Sequence, residues 1–174
     1  MNNSENIKIA VIGLGYVGLP LAVEFGKQFD VIGYDISKSR INELSNSIDS
    51  TLEVTKEEIA EANKLSFTQN KDHLRESKVF IVTVPTPIDE FNQPDFLPLI
   101  EASRLLGSVI KHNDIIIYES TVYPGATEEV CLPVVEKVSG LKLNQDFFAG
   151  LGLNQMMLLL ELFFLHYLAS HSIT

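Results

Sequence analysis

The feature that most narrows the fold of this chain is the hexapeptide GLGYVG, residues 13–18, together with what flanks it. Before it, residues 7–12 form a short β-branched apolar run, which predicts a fully buried strand ending at Gly13. After it, Val17, Leu21, Ala22, Val23 and Phe25 fall at helical spacing and predict a helix from Tyr16 to Gly26. The G-x-G-x-x-G pattern alone is weak, because glycine is common in turns. Leaving a buried strand and opening a helix inside a βαβ unit, it predicts a dinucleotide-binding turn. In such a turn Gly13 permits the tight bend, Gly15 lets the backbone approach a pyrophosphate, and Gly18 lets helix and strand pack closely. Unpaired N–H groups near Tyr16 and Val17, at the positive end of the helix, then face the phosphates. The second apolar run, Asp30 to Tyr34, is followed by Asp35, where this fold sets a carboxylate against a ribose 2′-hydroxyl. A carboxylate there repels a 2′-phosphate, so the expected cofactor is NAD rather than NADP. Arg40, five residues on, tempers this expectation, since a nearby arginine can accept a phosphate. The competing reading is a structural glycine turn followed by an N-cap aspartate.

The rest of the chain continues the alternation. Ser37 suits an N-cap for a helix over Lys38–Ser45. Thr55 and Glu58 form a capping box, and Val54 can staple onto Ile59. Strands are expected near Leu65–Thr68, over Val79–Val84 and over Asp114–Tyr118. A helical turn over Lys71–Glu76 and helices over Phe96–Ile110 and Gly125–Val138 fall between or after them, with Pro133 expected to bend or split the last. Nearly all-apolar strands alternating with helices predict an α/β, Rossmann-like, doubly wound and mainly parallel sheet with helices on both faces. Pro85, Pro87 and Pro94 bar regular structure from the segment after the fourth strand.

Polar residues collect at the ends of these strands. Thr83 and Thr86 flank Pro85 after the fourth, and Ser120 and Thr121 follow the fifth, at the edge where open α/β sheets bind ligands. For Ser120 taken alone, helix N-capping explains the hydroxyl equally well. The net charge of −10 argues against a nucleic-acid partner, which needs a concentrated basic face that the sequence does not display. His73, His112, His166 and His171 are scattered singly, so no metal site is expected. One cysteine, Cys131, excludes an internal disulfide and suits a reducing compartment, and the polar start MNNSENIK is no secretory signal. A cytoplasmic protein is the expectation.

In combination, IAVIGLGYVGLPLA, GYD with Arg40, TVPTPID, PD followed by PLIEAS, and ESTVYPGATEEV resemble the amino-terminal domain of the UDP-glucose/GDP-mannose dehydrogenase family. The TVPTP loop and STVYPGATEEVCLPVVEKVSGL are most similar to the branch that oxidises UDP-N-acetylhexosamines for surface polysaccharides. The resemblance covers residues 7–149. It implies a four-electron oxidation of a sugar C6 hydroxymethyl to a carboxylate with two NAD per turnover, through a cysteine-bound aldehyde and a thioester. By position it implies that Gly13, Gly15, Val17 and Gly18 meet the pyrophosphate and that Asp35 and Arg40 address the adenosine ribose. Thr83, Pro85, Thr86 and Ser120 lie along the cofactor, and Thr121 matches a threonine that helps order water and the catalytic groups.

Past Gly150 the resemblance stops. The family continues into a segment like YSPERINPG, whose glutamate takes part in catalysis, whereas here LGLNQMMLLLELFF follows. The family's active-site lysine and asparagine, its nucleophilic cysteine, its central dimerisation helix and its UDP-binding domain have no counterpart. Cys131, on the apolar side of a helix with no cation nearby in sequence, is read as a buried structural thiol. The expected organisation is a NAD-binding domain over 1–150 and an aberrant apolar tail over 151–174, helical from about 154 to 168. Glu161 and His166 interrupt that tail, and its apolar runs are too short for a membrane span. Its leucines circle the helix, which implies burial against the sheet's unfinished edge or against another copy of the chain, or else an aggregation hazard; in a soluble protein the expectation is an oligomer. The expectation is a chain that binds NAD but is catalytically incomplete alone, its tail arising from a frameshift or a similar change, with a UDP-sugar bound only by the full-length enzyme. The alternative is a non-catalytic nucleotide-binding module that docks through the tail. A hydroxyacid or 6-phosphogluconate type of dehydrogenase is disfavoured by the STVYPG and PTP segments.

Overall fold

The computed structural model of this chain describes residues 7–87, 94–119 and 125–151. Among the described residues six strands form one sheet: β1 (Lys8–Ile12), β2 (Asp30–Tyr34), β3 (Leu65–Thr68), β4 (Val79–Val82), β5 (Ile115–Tyr118) and β6 (Phe148–Leu151). Their order is β3-β2-β1-β4-β5-β6 and every pair is parallel, the doubly wound arrangement that the alternating pattern predicts. The sequence reading assigns no strand at β6. This edge strand takes its backbone pairing from β5, with Phe148 opposite Ile115, and it buries only part of its length.

Side chains alternate across the sheet and divide the core in two. Ile9 and Val11 of β1, with Ile81 of β4 and Ile117 of β5, face one apolar layer. That layer is closed by Leu19, Ala22 and Val23 of α1 (Gly18–Gly26), Leu44 of α2 (Lys38–Ser45) and Ile59 of α3 (Lys56–Glu61). Ala10, Ile12, Phe80, Val82, Ile116 and Tyr118 face the other layer. There Leu99, Ala102 and Leu106 of α4 (Leu97–Gly107) and Leu132 and Val135 of α5 (Leu132–Ser139) complete the packing. The crossover from β3 to β4 is only a 3₁₀ turn, Lys71–Glu76, which contributes Leu74 to this second layer.

Local signals set the helix ends. The Ser37 hydroxyl accepts the Arg40 N–H, and the Thr55–Glu58 capping box is reciprocal, with Val54 packed in the same layer as Ile59. The helix expected over Gly125–Val138 divides as Pro133 requires. A π-helical stretch, Thr127–Cys131, hands over to α5 at Leu132, whose N–H reaches back to the Thr127 carbonyl. Pro133 has no N–H to give the Glu129 carbonyl, so the wider turn falls where the α-helical bond is missing. No helix among the described residues is long and apolar enough to cross a membrane. The apolar helix expected over 154–168 lies outside the described residues.

Candidate functional site

The register brings the strand ends into one row. Ile12 pairs with both Tyr34 and Val82, and Val82 with Tyr118, so Gly13, Asp35, Thr83 and Glu119 leave the sheet side by side at its carboxyl edge. Between β1 and β4 the strand order reverses direction, and α/β sheets of this kind bind ligands at such a switch point.

The glycine turn is clamped from both neighbouring strands. On the β4 side the Thr83 hydroxyl lies 2.7 Å from the Gly13 carbonyl and 3.0 Å from that of Ile12, and donates toward them. On the β2 side Gly13 N–H donates to the Tyr34 carbonyl at 2.8 Å, and Leu14 N–H donates to Asp35 Oδ2 at 2.9 Å. Asp35 Oδ1 accepts the Ser37 N–H at 2.8 Å, tying the end of β2 to the start of α2. Gly13 holds φ +96°, a left-handed conformation that any Cβ would strain. A Cβ on Gly18 would stand 1.8 Å from the Gly13 oxygen and 2.3 Å from the Thr83 hydroxyl, so that glycine is demanded by the protein's own packing. A Cβ on Gly15 would meet nothing within 4 Å. Its missing side chain serves no internal contact and leaves room for a ligand at the backbone.

The first helical bond of α1 runs from Leu19 N–H to the Gly15 carbonyl. The N–H groups of Gly15, Tyr16 and Val17 have no partner among the described residues, and they stand at the positive end of the α1 dipole. This arrangement suits a diphosphate. Tyr16 and Val17 are exposed side chains, so what they offer there is backbone.

Next to the turn opens a cleft of about 850 Å³, lined by Gly13, Leu14 and Gly15 of the turn and by Asp35 and Ile36 after β2. Thr83, Val84 and Pro85 after β4, and Leu97, Glu101 and Leu105 of α4, also line it. Ile36 and Leu97 are apolar yet 84% and 58% exposed, and both border this opening. Tyr34 also borders it; burial, and the Asp35 carboxylate beside it, push its phenol up.

Arg40 sits elsewhere than the motif suggests. It is buried and does not line the cleft. Its Nε donates to the Leu14 carbonyl at 2.8 Å, and its guanidinium pairs with Asp49 Oδ1 at 2.8 Å and with Thr51 Oγ1 at 3.2 Å. Asp49 in turn gathers the N–H groups of Thr51, Glu53 and Val54. Asp49 and Thr51 carry no motif signature, and sequence reasoning passed over both. Thr86 follows Pro85 outside the cleft lining, and Ser120 and Thr121 lie outside the described residues. Glu119, just before them, has its Oε1 buried with no partner among the described residues, and burial pushes its carboxyl up. Cys131 is fully buried and its thiol is pushed up by that burial, the reverse of what a nucleophile needs.

Residues 7–151 match the model of the UDP-glucose/GDP-mannose dehydrogenase family, NAD binding domain. The chain is 64% identical over 146 residues to UDP-N-acetyl-D-glucosamine 6-dehydrogenase of Pseudomonas aeruginosa, covering 84% of this chain and 35% of that protein. It is 54% identical to the enzyme of the same name from Salmonella typhi, covering 84% of this chain and 34% of that protein. Among solved structures, GDP-mannose dehydrogenase of Pseudomonas aeruginosa, seen as a ternary complex, superposes with a TM-score of 0.78 at 27% identity. That match covers 82% of this chain and 35% of the other. The chain therefore spans about a third of the length of the relatives it matches. It belongs to the UDP-glucose/GDP-mannose dehydrogenase family and carries that family's NAD-binding domain.

Proposed function

We propose that this chain is the cofactor half of a nucleotide-sugar 6-dehydrogenase acting on a UDP-N-acetylhexosamine in surface-polysaccharide synthesis. The observation that carries the reading is the glycine turn: clamped by Thr83 and Asp35, open at Gly15, and bordering a cleft with apolar walls. The names of the relatives at 64% and 54% identity support the substrate class. NAD supplies the hydride acceptor. Two per turnover, with one water, take a CH₂OH to a carboxylate and leave two NADH and three protons.

The chain's own residues bind and orient. The N–H groups of Gly15, Tyr16 and Val17 hold the diphosphate, and Gly13 and Gly18 keep the turn closed beneath it. Asp35 takes the adenosine ribose hydroxyls with the acceptor capacity its two backbone bonds leave free. Ile36 and Leu97 offer apolar surface to the adenine, and Thr83 and Pro85 line the cleft. Thr86, Ser120 and Thr121 continue along the nicotinamide half, Thr121 assisting catalysis. Cys131, the chain's one cysteine, is buried with its thiol pushed up, so on this reading it is not the nucleophile of the oxidation. The cytoplasm is where NAD and nucleotide sugars are both supplied.

Calorimetric titration of the 174-residue chain with NAD tests this. Saturable binding is expected, weakened about tenfold or more in Asp35→Ala, where a charge-assisted hydrogen bond is lost. No binding by the wild-type chain would sink the cofactor assignment. Turnover of a UDP-sugar by this chain alone would sink the division of labour.

A further inference from the structure

The corner of the cleft that reads the adenosine ribose is built on an arginine that ought to weaken it. A free guanidinium five residues past Asp35 would attract a 2′-phosphate and blunt the preference for NAD. The structure shows where that charge goes. Arg40 is turned away from the cleft, with Nε on the Leu14 carbonyl and its terminal nitrogens on Asp49, Thr51 and, at longer range, Glu43 and Ser50.

Asp49 is what holds it there. Its side chain is 1% exposed, and each oxygen is committed: Oδ1 to Arg40, Thr51 N–H and Thr51 Oγ1, and Oδ2 to the N–H groups of Glu53 and Val54. Beside Asp35 and Arg40 stand Glu43 and Asp49, and Lys71 also lines the cleft, so three carboxylates face one guanidinium and one ammonium. Leu14 is the shared hinge. Its N–H is held by Asp35 and its carbonyl by Arg40, so the placing of Arg40 and of the ribose-reading carboxylate are mechanically linked.

We propose that Asp49 is a specificity-determining residue: by sequestering Arg40 it keeps the edge beside Asp35 net negative and so excludes the 2′-phosphate of NADP. Asp49 touches no part of the cofactor and acts through Arg40, as a positioning residue. This rests on the cofactor reading above.

The test is the ratio of NADP to NAD dissociation constants for the 174-residue chain, measured by calorimetry at one ionic strength. In Asp49→Asn the ratio should narrow about tenfold, mainly through tighter NADP, because one charge-assisted bond to phosphate becomes available to Arg40. Adding Arg40→Gln to that variant should abolish the gain. A support role without selectivity would weaken both nucleotides in the same proportion, and that result overturns the proposal. Should circular dichroism show Asp49→Asn to be unfolded, Glu43→Gln decides instead. It removes a partly exposed carboxylate 3.5 Å from Arg40 and should narrow the ratio about two- to threefold, an effect on the scale of a screened charge pair. An unchanged ratio there overturns the proposal. A wild-type chain that binds neither nucleotide removes the cofactor reading itself, a different failure from binding NAD and NADP with the ratio unmoved by these variants.

Discussion

A methyl group added at Gly18 would sit 1.8 Å from the Gly13 oxygen, whereas one added at Gly15 would meet nothing within 4 Å. The two glycines of one motif therefore answer to different demands, and substitution separates them. Gly18→Ala must push α1 off the turn and should lower unfolding free energy by about 3 kcal/mol, the upper range for overpacking. Gly15→Ala should leave stability within about 0.5 kcal/mol, as open surface positions do. It should nonetheless weaken NAD binding about tenfold or more, by filling the approach to the pyrophosphate. Urea unfolding and NAD titration of the same two variants check the contrast. The spacing of the hexapeptide already implies both roles. Which atoms would be struck follows from Thr83, sixty-five residues after Gly18 in sequence and brought there by the pairing of β1 with β4.

Helices and strands differ in how far their own residues explain them. α3 is only six residues long and draws on its cap, where Thr55 Oγ1 accepts the Glu58 N–H and the Glu58 carboxylate accepts the Thr55 N–H and hydroxyl. Those bonds hold the Glu58 carboxyl below its ordinary range. Thr55→Ala should cost about 1 kcal/mol, measured as a shift of the urea midpoint at unchanged slope. The division of the last helix was equally legible, because a proline without an N–H interrupts an α-helical ladder whatever surrounds it. β6 was not legible. Its four residues carry a glycine and no sustained alternation, and their strand geometry comes from the neighbouring backbone of β5.

Across the whole molecule, the loop after α2 couples folding to pH. Burial alone would raise the Asp49 carboxyl, but the bonds from Thr51 and Val54 and the Arg40 guanidinium hold it well below the usual carboxylate range. A depressed carboxylate contributes stability that is complete above its unfolded value of about 4 and is lost as pH falls toward the folded one. At neutral pH Asp49→Asn should cost about 3 kcal/mol, since it leaves Arg40 buried without its partner. That deficit should shrink as pH drops from about 5 to about 3, where the wild type begins to take up the same proton-linked penalty. Urea unfolding of both proteins at the two pH values measures it. A deficit constant with pH would show that the charge of Asp49 contributes nothing.

Much of this protein was determined by sequence alone, because its signals are local. Buried β-branched runs, a glycine hexapeptide between strand and helix, caps and a proline each act on their own few residues, and together they imply a parallel doubly wound sheet and its ligand edge. The tertiary structure decided the side-chain partnerships. Sequence places Arg40 near Asp35 and allows it a phosphate. The fold gives it instead to Asp49, across a loop in which Leu52 takes a left-handed φ of +58° so that two following N–H groups turn back onto that carboxylate. A buried guanidinium needs a paired charge, and which carboxylate reaches it depends on the path of the chain in three dimensions.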